Sequence, residues 1–234
     1  MRTIGLIGGM SWESSLEYYR LINQFTRDHL GGQNNARTLM YTVNFHDIET
    51  MQREGRWDDA GAALAEAAQR LERGGADFVV LCTNTMHKVA SAIEAAVDIP
   101  LLHIASATAD RVVKAGISSI GLLGTAYTME QDFYKGILRD RYGLNVLIPD
   151  ADERAVVHGI IYDELCLGVV KDASRTAFAQ IMAGLEARGA QGIILGCTEI
   201  ALLVRPDDSR VPQFDTTRIH CEESVAWALA DLAY

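Results

Sequence analysis

The sequence lacks the features that assign a chain to a membrane or to a nucleic acid. No apolar run approaches the roughly 20 residues that cross a bilayer, and the opening residues MRTIGLIGGM are typical of a first strand rather than of a signal peptide. Basic residues are scarce: 21 lysines and arginines face 31 aspartates and glutamates, which gives a net charge of −10. We therefore expect neither a membrane nor a nucleic acid as a partner.

Paired cysteines and metal-binding patterns are missing as well. The four cysteines form no CxxC pair and no disulfide framework, which favours reduced thiols and a cytoplasmic location. The histidines occur in no HxH or HExxH pattern, so we predict no metal site. What remains is a composition of 49% hydrophobic and 22% charged residues, ordinary for a globular protein with a core.

Short β-rich runs alternate with helical stretches along the chain. The predicted strands are RTIGLIG, TLMYTVNF, DFVVLC, IPLLHI, SSIGLLG, LNVLIP and GIILG. The pattern also predicts a first helix opened by Ser14 with Glu17 three residues later, a long helix ended by Gly74 and Gly75, and a solvated acidic loop at 150–153. Alternation of this kind indicates an α/β fold of parallel sheets with right-handed crossovers.

The sequence also repeats itself. LERGGADFVVLCTNT (71–85) aligns without gaps on LEARGAQGIILGCTE (185–199), and IGLIGG (4–9) matches IGLLGT (120–125). Ile99-Pro100 also corresponds to Val211-Pro212, so three matches occur in the same order, each about 114 positions apart. We therefore predict two similar, doubly wound parallel-sheet halves. The first covers residues 1–104 and is completed by a C-terminal helix at 215–234, and the second covers 105–214.

In open parallel sheets, ligands bind at the carboxyl ends of the strands. Each half has two loops there, GGMSW and CTNT in the first and GTAYT and GCTE in the second, and we expect all four to line one cleft between the halves. Small polar residues at such positions either cap helices or hold a substrate carboxylate, and we favour the second reading. The candidate binding residues are Met10 (through its backbone N–H), Asn84, Thr85, Thr125, Tyr127, Thr128, Thr198 and Glu199.

The set GGM, NTxH and GCTE resembles the aspartate/glutamate racemase family over essentially the whole chain. The resemblance implies a small amino acid as substrate, no pyridoxal phosphate or metal, and a homodimer. It also implies two cysteines that exchange the Cα proton from opposite faces. The GCTE form, with Glu199 after Thr198, is more similar to aspartate racemases than to glutamate racemases.

The chain departs from the family pattern at the first cysteine. Aligning Asn84-Thr85-x-His87 places Thr83 where that cysteine belongs, with Cys82 one residue early. Successive side chains of an extended segment point to opposite faces, so Cys82 is expected to face into the domain. We predict Cys197 as the thiolate base, Thr83 as its weak catalytic partner and His87 as a candidate proton relay, which makes the racemase kinetically asymmetric.

A second departure concerns specificity. The resemblance implies that aspartate racemases hold the substrate's side-chain carboxylate with an arginine after the second strand and a lysine in the second half. Here Gln52 or Arg53 takes the arginine's place, depending on one gap, and Cys166 lies near the lysine's position. A site without that cationic pair could accept glutamate or other amino acids. We favour aspartate and glutamate.

Three other functions remain open from the sequence. A nucleotide-binding module is weakly indicated by IGLIGGM, which lacks the full G-x-G-x-x-G spacing. A non-catalytic amino-acid-binding protein is possible because the first cysteine is displaced. Another carbanion reaction of the same superfamily, of the maleate isomerase or hydantoin racemase type, is the third alternative.

Overall fold

Two four-stranded parallel sheets form the framework of this computed structural model, which describes residues 1–232. The first sheet has the order β2-β1-β3-β4 and the second β6-β5-β7-β8, so the strand order is the same in both. The strands are β1 Ile4–Gly8, β2 Thr38–Thr42, β3 Phe78–Leu81, β4 Leu101–Leu102, β5 Ser119–Gly124, β6 Asn145–Leu147, β7 Ile193–Gly196 and β8 Gln213–Asp215. The predicted α/β fold with two similar halves is confirmed.

The helices connect the strands in the predicted alternation, with additional short ones. The α-helices are α1 Trp12–Leu30, α2 Phe45–Arg53, α3 Trp57–Arg73, α4 Ala90–Glu94, α5 Ile104–Lys114, α6 Ala126–Glu130, α7 Asp132–Gly136, α8 Ala151–Asp163, α9 Asp172–Ala187, α10 Ile200–Leu203 and α11 Thr216–Leu229. Short 3₁₀ segments occur at Thr85–Val89, Leu165–Leu167 and Pro206–Asp208, and a π-helical turn at Ile137–Arg141. Within residues 1–232, no helix combines the length and the apolar character needed to cross a membrane.

The chain forms two compact units. The first contains residues 1–104 together with the described residues from His220 onward, and the second contains Ala105–Ile219. The chain therefore leaves the first unit after Ile104, at the start of α5, and returns to it inside α11.

The first unit has an apolar cluster on each face of its sheet. Along β3, Val79 and Leu81 belong to the cluster that α3 covers. The alternate residues Val80 and Cys82 belong to the cluster that α1 and α11 cover. Because side chains alternate along a strand, this pattern carries the thiol of Cys82 into the core.

Two predictions of local structure were wrong. The first helix begins at Trp12, and its cap is Ser11, whose side chain accepts a hydrogen bond from the Ser14 backbone N–H at 3.2 Å. Ser14 lies inside the helix because Ser11 already has the extended backbone of a cap residue. The acidic run at 150–153 begins α8 instead of forming a loop, since Asp150 and Glu153 form a reciprocal capping box.

Some elements were not predicted at all. The strand β8 has three residues and no apolar run. Two residues separate β2 from the helix α2, whose cap residue Asn44 makes no side-chain capping bond. Short elements of this kind carry little periodicity, so tertiary packing decides them.

Gly9, in the loop after β1, has a backbone that only glycine accommodates. Its φ is +95°, and a Cβ at this position would overlap the carbonyl oxygen of Val43. Gly75 has a similar φ of +92°, but its Cβ would enter open space. The loop GGM therefore approaches the chain after β2 more closely than any side chain would allow.

We expect Gly9→Ala to destabilise the protein much more than Gly75→Ala. Both substitutions incur the cost of the positive φ, about 1–2 kcal/mol, and only Gly9→Ala adds the steric overlap. Urea unfolding of the two variants and the wild type measures the difference in the free energy of unfolding. Equal losses in both variants would contradict the close approach at Gly9.

Candidate functional site

In the first unit, the loops after β1 and β3 lie side by side because the two strands are paired. Ile7 is in register with Leu81, which brings the residues after each strand to the same edge of the sheet. The loop after β1 is held by Ser15, whose hydroxyl accepts from Gly9 N–H at 2.7 Å and donates to the carbonyl of Ser11 at 2.9 Å. The loop after β1 is therefore stabilised by hydrogen bonds to a side chain of the helix that follows it.

Ser14 links the two loops. Its hydroxyl donates to the carbonyl oxygen of Cys82 at 2.9 Å. The side chain of Cys82 is fully buried, and burial raises the pKa of its thiol. A thiol without access to solvent, and with its anion disfavoured, is a poor nucleophile and a poor base.

Thr83, Asn84 and Thr85 follow at the same edge, and all three are buried. The next predicted residue, His87, lies in the 3₁₀ segment Thr85–Val89 and points back to the loop: its Nδ1 is 2.8 Å from the carbonyl oxygen of Thr83. The structure thus brings together the four polar residues of the NTxH region. Met10 packs into the cluster covered by α3, so its side chain belongs to the core.

Both ring nitrogens of His87 are engaged by the backbone. Nε2 accepts from the N–H of Ile104 at 3.2 Å, so Nδ1 carries the proton that is donated to Thr83. Burial, followed by the neighbouring His103 and His220, holds the pKa of His87 well below its usual value. The imidazole is therefore neutral and in the Nδ1–H tautomer.

His220, which the sequence did not single out, lies in the same part of the unit. Its Nε2 donates to the carbonyl of Leu102 at 2.9 Å, and its Nδ1 accepts from the hydroxyl of Tyr18 at 2.8 Å. Burial lowers the pKa of His220 to about 3. A histidine in a helix with no motif around it gives no sequence signal, because its partners are distant in the chain.

The two candidates for the arginine position differ in burial. Gln52 is buried near the end of α2, and its amide nitrogen lies 2.9 Å from the sulfur of Met86. The Arg53 side chain is 66% exposed and lies 3.8 Å from Glu49. Of the pair, Gln52 is the one packed against the residues that follow β3.

In the second unit, two glycines end the central strands. Gly124 of β5 is paired with Gly196 of β7. A Cβ at Gly196 would lie 2.7 Å from the carbonyl oxygen of Leu123, and a Cβ at Gly124 would lie 2.9 Å from the carbonyl oxygen of Gly196. The strands end in close contact, so Thr125 and Cys197 leave the sheet at neighbouring positions.

Cys197 is hydrogen-bonded to a carboxylate. Its Sγ lies 2.9 Å from Oε2 of Glu199, and the hydroxyl of Thr198 donates to the same oxygen at 2.5 Å. Glu199 is buried, whereas Cys197 is partly exposed. The sequence predicted all three as site residues, and the structure places them together.

The surroundings of Cys197 raise the pKa of its thiol well above the usual value. Burial is the largest cause that raises its pKa, followed by the charge of Glu199 and by Cys166. Cys166 lies in the 3₁₀ segment Leu165–Leu167 and packs against the same apolar cluster as Cys197. The thiol therefore keeps its proton, and a carboxylate oxygen lies within hydrogen-bonding distance of it.

The loop after β5 lies beside a histidine. Thr125 caps α6, and its side chain accepts a hydrogen bond from the N–H of Thr128 at 3.3 Å. The N–H of Ala126, the residue after Thr125, donates to Nδ1 of His158 at 3.1 Å. The His158 ring contacts Tyr127 and Tyr162, with centroids 6.2 and 4.8 Å away. His158 was missed in the sequence because α8 carries no motif around it.

The chain is similar to known proteins over nearly its full length. The sequence profile of the Asp/Glu/hydantoin racemase family matches residues 7–224. A crystal structure of a proposed Asp/Glu racemase from Yersinia pestis is 53% identical, with a TM-score of 0.92 over 98% of this chain and 100% of the other. An aspartate racemase homologue from Pyrococcus horikoshii is 33% identical, with a TM-score of 0.85 over 97% and 99% of the two chains.

The broad-specificity amino-acid racemase of Bacillus subtilis is 22% identical over 97% of this chain and 98% of its own length.

We expect Glu199→Gln to speed alkylation of Cys197 by iodoacetamide near pH 8. Removing the negative charge lowers the thiol pKa, and the reactive thiolate fraction rises about tenfold for each unit of pKa. Peptide mass spectrometry measures the alkylation of Cys197, Cys166 and Cys82 separately. The buried Cys82 should stay unmodified.

Glu186→Gln is the matched control, because it removes the same charge from a carboxylate that is bonded to Ser209 and to the Arg210 backbone. Its rate of Cys197 alkylation should equal that of the wild type. An unchanged or slower rate in Glu199→Gln would contradict the assigned contact.

Proposed function

Because this chain belongs to the Asp/Glu/hydantoin racemase family, we propose that it racemises an acidic amino acid, aspartate or glutamate, without pyridoxal phosphate. The observation that carries the proposal is the contact between Cys197 Sγ and Glu199 at 2.9 Å. It provides a group that can take a proton from carbon and a second group that can take the thiol's own proton.

In the proposed first step, the thiol proton of Cys197 passes to the carboxylate of Glu199, and the resulting thiolate removes the Cα proton of the substrate. The sulfur then carries the former Cα proton, Glu199 carries the former thiol proton, and the substrate is a carbanion. The raised pKa of Cys197 makes the thiolate a stronger base, although a less abundant one.

In the proposed second step, Thr83 serves the opposite face of Cα, where the family resemblance implies a second cysteine. A hydroxyl can give a proton to a carbanion, which is a far stronger base. The alkoxide left on Thr83 then takes a proton from solvent and Glu199 returns its proton to solvent, which restores the starting state. A neutral hydroxyl is a poor base for taking a proton from carbon. Thr83 is supported over Cys82 in this role because the Cys82 side chain is fully buried in the core.

The reaction is therefore asymmetric in its individual steps. The enantiomers have equal free energy in water, so the equilibrium constant is one, and the asymmetry appears in the separate rate constants. An enantiomer whose Cα proton faces Cys197 should often lose that proton and regain a solvent proton on the same face. The other enantiomer should exchange only when it inverts.

We propose that hydroxyl, amide and backbone N–H groups of the loops that follow the strands bind the substrate's carboxylates. Asn84, Thr85, Thr125 and Thr128 supply the polar side chains, all of them buried. Gln52 takes the position of a cationic residue, which favours a site that tolerates both aspartate and glutamate. The broad-specificity relative is consistent with that tolerance.

Cα-proton exchange in D₂O, followed by NMR, tests the proposed function. The four substrates are L- and D-aspartate and L- and D-glutamate, in separate tubes without added cofactor. We expect inversion of at least one pair, with exchange at retained configuration for one of its enantiomers only. Binding without any exchange would indicate an amino-acid-binding protein, and exchange of neither pair would contradict an acidic amino acid as substrate.

We expect Cys197→Ala to lower exchange of both enantiomers by a factor on the order of 10²–10⁴, because the thiol base is lost. Cys82→Ala is the matched control and should keep the exchange rate, since that thiol lies in the core. Loss of exchange in Cys82→Ala with a normal melting temperature would reverse the two assignments.

We expect Thr83→Cys to make the two enantiomers behave alike. A thiol at position 83 can act as a base as well as an acid, so exchange at retained configuration should then appear from both enantiomers. The same NMR experiment measures it. A Thr83→Cys variant with unchanged asymmetry would remove Thr83 from the mechanism.

A further inference from the structure

The segment Cys82–Thr83 has all four of its backbone polar groups hydrogen-bonded. The N–H of Cys82 donates to Ile7 at 3.0 Å, and the N–H of Thr83 donates to Leu81 at 2.8 Å. The two carbonyls are bound by side chains, that of Cys82 by Ser14 at 2.9 Å and that of Thr83 by His87 at 2.8 Å. The direction in which the Thr83 side chain leaves the backbone is therefore set by these bonds.

We propose that His87 is a positioning residue that acts through the backbone of Thr83, and not a proton relay. Its ring bridges two backbone groups: Nδ1–H donates to the Thr83 carbonyl, and Nε2 accepts from the N–H of Ile104. This inference rests on the proposed function, in which Thr83 delivers a proton to the substrate carbanion.

A relay would need a ring nitrogen that can release one proton and take another. Each nitrogen of His87 is already engaged by a backbone group, and the imidazole is fully buried beside His103 and His220. Moving a proton through this ring would break both bonds and place a charge next to two other imidazoles. The geometry serves a fixed neutral bridge instead.

The bridge also joins two strand ends. Thr83 follows β3 and Ile104 follows β4, so the ring ties the loop that carries Thr83 to the first residue of α5. Displacing a reacting group by about 1 Å can lower a rate by a factor on the order of 100. A bond to the adjacent carbonyl is therefore a direct control on how well Thr83 performs its half of the reaction.

Two substitutions of His87 each keep one of the two hydrogen bonds that its ring makes, as the number of covalent bonds from Cα shows. The amide nitrogen of an asparagine is as many bonds from the backbone as Nδ1, so His87→Asn keeps the donor to Thr83. The amide oxygen of a glutamine is as many bonds away as Nε2, so His87→Gln keeps the acceptor for Ile104 and loses the donor to Thr83. Neither variant can relay a proton.

The measurement is the ratio of inversion to exchange at retained configuration, for the enantiomer that faces Cys197. Inversion needs Thr83, whereas retained exchange needs only Cys197 in the second unit. We expect His87→Asn to keep the wild-type ratio within about twofold, and His87→Gln to lower it by a factor on the order of 100. Equal loss of the ratio in both variants would support a relay and overturn the proposal.

A purely structural role gives a different result. Inversion and retained exchange would then fall together, in step with the melting temperature, and the ratio would not change; that outcome also overturns the proposal. His29→Gln is the matched control, because His29 makes the same type of Nδ1 contact, 2.8 Å from the carbonyl four residues earlier, at another place in the fold.

The bridge can also be tested without turnover. In ¹⁵N NMR of histidine-labelled protein, we expect His87 to stay neutral with its proton on Nδ1 from pH 5 to pH 8. The signals of His87 are identified as those that disappear in the His87→Asn variant. A proton on Nε2, or titration in this range, would overturn the bridge itself. Absence of Cα exchange in the wild type would refute the proposed function alone, and the two failures are thus distinguishable.

Discussion

The alternation of side chains along the buried strand β3 is the constraint on which the first unit's candidate site residues depend. In β3, every second residue belongs to the same apolar cluster, and Cys82 continues that series into the core. Thr83, one position further, lies in the polar loop that follows β3 and is not part of that cluster. A cysteine and a threonine that are neighbours in the sequence therefore have different environments.

The sequence was sufficient for much of the fold and for part of the site. Alternating periodicity and the internal repeat predicted two similar α/β halves, because parallel strands with crossover helices produce both patterns. The loops of the candidate site were also predictable, since they follow apolar strands. What could not be predicted depends on contacts distant in the chain: the burial of His220 against Tyr18, the bond from Ala126 to His158, and the short strand β8.

The two units hold the loops at the ends of their central strands with different residues. In the first unit, serine and histidine side chains donate hydrogen bonds to carbonyl oxygens of the loops and so hold the loop backbone in place. In the second, paired glycines bring the strand ends together, and Glu199 receives the hydrogen bonds of its neighbours. The repeat in the sequence is therefore not matched by a repeat in the side chains that hold the loops.

The contact between Cys197 and Glu199 also bears on the durability of the thiol. Peroxides attack the thiolate, and a sulfur that keeps its proton beside a carboxylate offers little of that form. Burial acts in the same direction. Cys197 should therefore oxidise more slowly than a cysteine of the same exposure whose thiol is ionised.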